Sequence, residues 1–176
     1  MKILVLEGSP HRNGTTNTLA SEFIRGAKEK GHDVDVLDIA HSNLHPCLGC
    51  DRCGMDGKCI QKDDGNEILD KILASDCLAF VTPVYYFGVS AQLKTLIDRF
   101  YAKNGAITRK HPKAVYIAAA WNEDERVMKA LEAHFDILTS YLEMEEVGRV
   151  MAKGAGNPGM IKPHHLREAY DLGKSL

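Results

Sequence analysis

Two periodicities of apolar residues alternate along the chain. Residues 3–6, 77–81 and 114–120 are continuous apolar runs, and residues 34–39 alternate in part between apolar and polar. Continuous runs of this length are typical of parallel strands buried on both faces, whereas partial alternation indicates a half-exposed strand. A weaker strand is predicted over residues 143–151, so the pattern predicts five strands.

Helical spacing follows each of the predicted strands. Apolar residues recur there at intervals of three and four, which gives each segment one apolar face. The five predicted helices lie near residues 19–27, from about residue 66 onward, at 93–101, at 127–138 and at 165–176. Repeated strand–helix units predict a parallel sheet with helices on both faces.

The second strand differs from the others in polarity. It carries Asp33, Asp35 and Asp38, whereas the first, third and fourth strands are apolar throughout. This favours an edge position for the second strand, and therefore a flavodoxin-like α/β sandwich of three layers with strand order 2-1-3-4-5 over the Rossmann order. We expect one domain, residues 1–176. Sheets of this kind bind ligands at the carboxyl ends of their strands, in the loops after strands one, three and four.

Charge and hydropathy narrow the classes of partner. The net charge is −2, so we expect no nucleic acid and no anionic membrane as a partner. No stretch approaches the roughly 18 apolar residues of a membrane span, and the first apolar run is too short for a secretory signal. We therefore expect a cytoplasmic protein, whose thiols stay reduced.

The loop after the first strand, residues 8–18, is rich in hydrogen-bond donors and opens a helix. Its donors are Ser9, Thr15, Thr16, Asn17 and Thr18, with His11 or Arg12 available to add positive charge. Free N–H groups make a helix N-terminus an anion site. The loop has neither the dinucleotide nor the P-loop glycine pattern, which favours a terminal monophosphate such as that of FMN. The alternative is a threonine-capped helix after a Ser-Pro turn.

The loop after the third strand, residues 82–90, contains the consecutive aromatics Tyr85, Tyr86 and Phe87. Such a group at the edge of a sheet is suited to packing against a planar ligand; the alternative is a packed loop or a dimer interface. Ser90 is expected to cap the next helix. Trp121, after the fourth strand, is either a ligand contact or a core or interface residue.

Four cysteines occupy the connection between the second strand and the second helix, in an insert at about residues 45–62. Cys47, Cys50, Cys53 and Cys59 follow the spacing C-x2-C-x2-C-x5-C. The compact spacing is similar to iron–sulfur ligand runs and fits zinc less well, while free thiols remain the alternative. The fifth cysteine, Cys77, lies in an apolar strand and is predicted to be a core residue.

The combined motifs resemble the NADPH-dependent FMN reductase superfamily, and within it the iron–sulfur flavoproteins. The resemblance rests on Gly8-Ser9-Pro10, Asn13-Gly14, Thr16, the cysteine run with Asp63-Asp64, Thr82-Pro83-Val84-Tyr85, Gln92-Leu93-Lys94, Asp98-Arg99 and residues 156–159. Asp98-Arg99 is interpreted as a structural pair or an interface group, with no chemistry assigned.

The resemblance implies an FMN site, a metal site and a function. FMN phosphate would be held by Ser9, His11, Thr15, Thr16 and Asn17, and the isoalloxazine ring lined by Pro83, Val84, Tyr85, Tyr86, Phe87 and Gly88. A [4Fe–4S] cluster would be ligated by Cys47, Cys50, Cys53 and Cys59. The implied function is electron transfer from a donor such as NAD(P)H to a quinone-like or protein acceptor, in a homodimer or homotetramer. The alternatives are a non-enzymatic electron carrier and a thiol or zinc redox sensor.

Overall fold

The computed structural model describes all 176 residues and contains one five-stranded parallel sheet. The strands are β1 Lys2–Glu7, β2 Asp33–Asp38, β3 Cys77–Pro83, β4 Lys113–Ala119 and β5 Glu145–Ala152. Their order is β2-β1-β3-β4-β5, and every neighbouring pair is parallel. The predicted flavodoxin-like order is confirmed, with the aspartate-rich strand at one edge.

Helices cover both faces of the sheet. They are α1 Thr15–Glu29, α2 Gly65–Leu73, α3 Ala91–Arg99, α4 Asn104–Lys110, α5 Arg126–Tyr141 and α6 Pro163–Ser175. Side chains of α1 and α6 pack into one core, and those of α2, α3 and α5 pack into the other. No helix combines the length and apolarity that crossing a bilayer requires.

The prediction of five helices is wrong, because α4 forms a sixth between α3 and β4. A 3₁₀ turn at Phe100–Lys103 separates it from α3. Asp56 holds its first turn: the carboxylate accepts a hydrogen bond from the Ala106 N–H at 2.7 Å and pairs with Arg109 at 2.6 Å. Local periodicity could not reveal α4, because its stabilising partner lies about fifty positions earlier in the chain.

The double burial of the central strands explains their continuous apolar runs. On β1, Ile3 and Val5 enter the core beneath α1 and α6, while Leu4 and Leu6 enter the opposite core. Each is fully buried, which stabilises the fold by roughly 1.5–3 kcal/mol per side chain. Cys77 lies in the first of these cores, where burial raises the pKa of its thiol to about 12. The prediction that Cys77 is a core residue is confirmed.

Candidate functional site

A cleft of about 520 Å³ lies at the carboxyl edge of the sheet. Its volume is within the range of small-molecule sites, which is about 300–1,000 Å³. Seven of the residues predicted to bind FMN line this cleft: Ser9, His11, Thr15, Thr16, Pro83, Val84 and Tyr85. The structure thus brings the first and second loops together around one cavity, where the doubly wound sheet was expected to bind its ligand.

The N-terminus of α1 faces this cleft without a cap. The N-cap residue is Gly14, which makes no side-chain cap hydrogen bond, and the first turn contains no acidic residue. The alternative of a threonine-capped helix is therefore wrong. Backbone N–H groups that have no cap, together with the positive end of the helix dipole, form an anion-binding site.

The hydroxyl of Thr15 provides an observation specific to this site. The side chain is buried at the cleft wall, and its Oγ1 has no hydrogen-bond partner. Ser9 is also buried beside it, with its Oγ accepting from the His11 N–H at 3.2 Å. A buried hydroxyl without a partner is costly, and a phosphate oxygen would satisfy it. These residues fit the terminal phosphate of FMN.

Asn17 lies outside the cleft lining, although it was predicted to hold the phosphate. Its side-chain amide donates to Glu7 at 2.9 Å, and its Oδ1 accepts from the Thr16 hydroxyl. Burial, and to a lesser extent Asp38, raises the pKa of the Glu7 carboxyl. The Asn17 side chain is thus engaged by Glu7 and Thr16, and its contact with phosphate stays a prediction.

The second loop is joined to its neighbours by hydrogen bonds. The Val84 N–H donates to the Ala119 carbonyl at 2.8 Å, which sets Pro83, Val84 and Tyr85 against the end of β4. Ser90 caps α3 as predicted, because its Oγ accepts from the Leu93 N–H. The same hydroxyl donates to the Gly8 carbonyl at 2.6 Å, so one serine connects the first and second loops.

The remaining aromatics of this loop form an exposed hairpin tip. Tyr85 and Gly88 pair as an antiparallel bridge, and Tyr86 and Phe87 between them have φ values of 47° and 67°. Tyr86 is 100% exposed and Phe87 is 58% exposed. Neither residue nor Gly88 lines the cleft, so their predicted contact with the isoalloxazine ring stays a prediction.

The tip should be stabilised by residues that accept positive φ. Two-residue hairpins with positive φ at both positions favour Asn-Gly, and bulky residues there cost about 1–3 kcal/mol each. We expect Tyr86→Asn with Phe87→Gly to raise the free energy of unfolding of dilute, FMN-free protein by about 1–2 kcal/mol. Urea denaturation measures this, and a decrease would contradict it by showing that the aromatic rings stabilise the protomer.

The third side of the cleft was predicted only in part, because the sequence offered Trp121 as a candidate ligand contact but did not indicate the residues after β5. Trp121 lines it together with Ala155, Gly156, Asn157 and Pro158, which follow β5. A Cβ placed on Gly156 would lie 1.9 Å from the Trp121 ring, so glycine is required for the indole to approach. The available signal was the position of this Gly-Asn-Pro segment at the carboxyl end of the fifth strand, where the rule for doubly wound sheets also applies.

The four predicted metal ligands border one pocket. Cys47, Cys50, Cys53 and Cys59 line it together with Arg99, Tyr101 and neighbouring residues, and we call it the four-cysteine pocket. Its enclosed part measures about 20 Å³, and Cys47 and Cys50 are exposed. A group bound by all four sulfurs would therefore occupy the open rim as well as the interior.

Side-chain contacts explain how a connection without helix or strand is held in place. The Asn66 side chain makes two hydrogen bonds with the Cys59 backbone, at 2.9 and 3.0 Å. The Tyr101 hydroxyl donates to Asp51 at 2.7 Å. Asp56 attaches the segment to α4 through its hydrogen bonds with the Ala106 N–H and Arg109. The cysteines are thus attached to α2, to α4 and to the turn between α3 and α4.

A buried ion pair lies beneath this segment. Arg99 donates to Asp63 through two nitrogens, at 2.6 and 3.0 Å, and both side chains are inaccessible to solvent. Burial alone would raise the pKa of the Asp63 carboxyl, but hydrogen bonds from Arg99, His45 and Gly65 lower it far below 3.8. Asp98 pairs instead with Lys94, so the interpretation of Asp98-Arg99 as a mutual pair is wrong.

The sulfur spacing bears on the kind of metal group. No three of the cysteine sulfurs lie within 4.8 Å of one another. Two ligands of one zinc ion stand at most about 4.6 Å apart, because each Zn–S bond is about 2.3 Å. The four thiols are therefore not gathered around a single-ion site in this structure.

One other set of metal-ligating atoms is brought together, at the start of α6. His164, His165 and Glu168 have ligand atoms within 4.8 Å of one another. His165 already shares a hydrogen bond with Glu168 at 3.3 Å, which accounts for their proximity.

The parallel sheet, the cleft at its carboxyl edge and the uncapped helix N-terminus define a flavodoxin-like protein with a candidate anion site. The chain belongs to the NADPH-dependent FMN reductase family, whose family model matches residues 1–157. The resemblance drawn from the motifs is thereby confirmed.

Curated relatives include iron–sulfur flavoproteins. One from Methanocaldococcus jannaschii is 41% identical over 99 residues, which make up 56% of this chain and 51% of that protein. One from Archaeoglobus fulgidus is 26% identical across 100% of this chain and 79% of that protein. The chain spans about half the length of several relatives that it matches.

Solved structures agree with the fold. An NAD(P)H:quinone oxidoreductase from Methanothermobacter marburgensis superposes with a TM-score of 0.81, at 21% identity over 99% of this chain and 95% of that one. An FMN-dependent NADH-azoreductase from Bacillus anthracis, in complex with FMN, gives 0.72 at 14% identity over 99% and 96%. At these identities the likeness concerns the fold alone.

Proposed function

We propose that this chain is an FMN-dependent oxidoreductase that passes electrons from NAD(P)H to a quinone-like or protein acceptor. The single observation that carries the proposal is the buried, unpartnered Thr15 hydroxyl beside the uncapped N-terminus of α1. Membership of the NADPH-dependent FMN reductase family supports the same cofactor and donor. We further propose that Cys47, Cys50, Cys53 and Cys59 would hold a [4Fe–4S] cluster, which when bound would supply one-electron chemistry.

FMN and the cluster, when bound, supply the redox chemistry; the side chains bind, orient and shield. The first turn of α1, with Ser9 and Thr15, binds the phosphate. Pro83, Val84 and Tyr85 would form one wall for the isoalloxazine ring. Trp121, whose indole packs against Gly156, would close the opposite side of the cleft. No side chain acts as acid or base in this scheme; Ser9 and His11 line the cleft, but the Ser9 hydroxyl bonds the His11 backbone.

Two further observations support the cluster. Four cysteines border one pocket, and their compact spacing in the sequence is similar to iron–sulfur ligand runs. The named relatives are iron–sulfur flavoproteins, although the matched segment of the first covers only about half of that protein.

The proposal is tested with protein purified without air. Flavin absorption bands, or uptake of added FMN with quenching of its fluorescence, are expected, followed by steady-state oxidation of NAD(P)H with a quinone or dye. Absence of flavin uptake would refute the FMN site. Uptake without turnover would favour the non-enzymatic carrier.

Loss of one cysteine should remove the proposed cluster without affecting FMN binding. We expect Cys53→Ala to lose most of the iron and acid-labile sulfide, because a cluster bound by three thiolates is held less firmly, while FMN binding is retained. Cys77→Ala is the matched control, since its thiol lies in the opposite core, and its iron content should equal that of the wild type. Unchanged iron in Cys53→Ala would refute this ligand, and zinc without iron in the wild type would favour the redox-sensor alternative.

We also propose that the protein is a homodimer or homotetramer. The exposed aromatic tip at Tyr86 and Phe87 supports this, because large exposed apolar side chains next to a binding cleft are typical of interaction surfaces. Sedimentation velocity of the wild type and of the Tyr86→Asn/Phe87→Gly variant tests it. An oligomer that dissociates in the variant is the expected result, and a wild-type monomer would refute the proposal.

A further inference from the structure

The ion pair with Asp63 leaves one part of the buried Arg99 side chain unexplained. This side chain is 1% exposed and forms part of the wall of the four-cysteine pocket. Nη1 donates to Asp63 and to the His45 carbonyl, and Nη2 donates to Asp63. The Nε–H group is buried and makes no hydrogen bond of good geometry, although Cys59, after Asp63, is among the neighbours that raise the pKa of the guanidinium. Buried donors without acceptors are rare, so a missing acceptor is expected beside this nitrogen.

The pocket faces the positive member of the pair. Arg99 is on its wall, whereas Asp63 is not, so whatever the cysteines bind meets the guanidinium rather than the carboxylate. The acidic group that does lie on the wall, Asp51, accepts a hydrogen bond from the Tyr101 hydroxyl. Thiolates bound to a metal group would concentrate negative charge here, and a fixed cation with a free N–H would oppose it.

The backbone at the start of α2 leaves room for this arrangement. A Cβ on Gly65 would lie 2.4 Å from Nη2 of Arg99 and 2.7 Å from its Cζ. Any side chain at position 65 would therefore displace the guanidinium from its present place. The position of Arg99 depends on this glycine as well as on Asp63.

We propose that Arg99 sets the reduction potential of the group bound by the four cysteines. Its Nε–H donates to a sulfur of that group or of Cys59, and its charge stabilises the form that has taken up one electron, with no bond made or broken. This inference rests on the cluster in the proposed function. Arg99 therefore acts through its charge and its hydrogen bond, and it exchanges no protons.

The test is an anaerobic redox titration of the iron–sulfur signal by electron paramagnetic resonance. Arg99→Lys keeps a cation for Asp63 but removes the Nε–H donor, and Gly65→Ala displaces the guanidinium without removing any charged group. We expect each variant to lower the one-electron reduction equilibrium constant by about tenfold, which corresponds to about 59 mV, with iron content and FMN potential unchanged.

Matched variants make the outcomes separable. Arg109→Lys, an exposed arginine paired with Asp56, should retain the wild-type potential. Iron at the wild-type level with unchanged potentials in both test variants would overturn this inference alone and leave Arg99 a structural residue. Wild-type protein without iron and sulfide would overturn the cluster proposal, and this inference with it.

Discussion

Replacing Asp63 with asparagine is expected to lower the free energy of unfolding by about 3–5 kcal/mol, because it leaves the Arg99 charge buried without a counterion. The asparagine would keep the shape of the side chain, so the loss would report charge rather than packing. Asp63 also accepts the His45 and Gly65 N–H groups, so the cysteine segment should loosen first. Urea denaturation gives the total loss, and hydrogen exchange at residues 45–65 locates it.

The neighbouring pair provides a control. Asp98→Asn removes a carboxylate that pairs with Lys94 at the surface, where such a pair contributes at most about 1 kcal/mol. A loss below about 1 kcal/mol in Asp63→Asn as well would show that the buried pair is not a major source of stability.

The pH dependence follows from the lowered pKa of Asp63. A carboxyl whose pKa is lower in the folded state stabilises the protein fully above its unfolded value, and this contribution is lost as pH falls below it. The unfolded value lies near 3.8. The difference in stability between wild type and Asp63→Asn should therefore be constant from pH 7 to about pH 5 and shrink below pH 4.

The sheet could be predicted from the sequence because its signals are local. Four-residue and longer apolar runs mark strands buried on both faces, and the three aspartates of β2 mark the edge. The helix α4 could not be predicted in this way, since the group that holds its first turn is Asp56, in a different segment of the chain.

The candidate site, like the fold, could be predicted only where its signals are local in the sequence. Ser9 and Thr15 were found because they lie in a donor-rich loop at a fixed place in the fold. Gly156 was missed because its importance depends on the Trp121 ring, which is 35 positions away and visible only in three dimensions. The Asp63–Arg99 pair illustrates the same limit: both residues belonged to noticed motifs, yet nothing local indicated that they contact each other.

Replacing Thr15 with valine is expected to weaken FMN binding and to leave the fold intact or more stable. The valine keeps the branched shape but removes the hydroxyl proposed to donate to the phosphate. A hydrogen bond to a charged group contributes about 1.5–3 kcal/mol, so the dissociation constant should rise about 10- to 100-fold. Without FMN, loss of a buried unpartnered hydroxyl should raise the free energy of unfolding by about 1 kcal/mol.

Riboflavin distinguishes a phosphate contact from a general disturbance of the cleft. It lacks the phosphate, so Thr15→Val should bind riboflavin as well as the wild type does while binding FMN less well, as measured by flavin fluorescence. Thr95→Val, which removes a hydroxyl bonded to its own helix backbone, should leave both affinities unchanged. Equal losses for FMN and riboflavin would place the effect of Thr15 on the ring rather than on the phosphate. Unchanged FMN affinity would remove the observation on which the FMN site is argued.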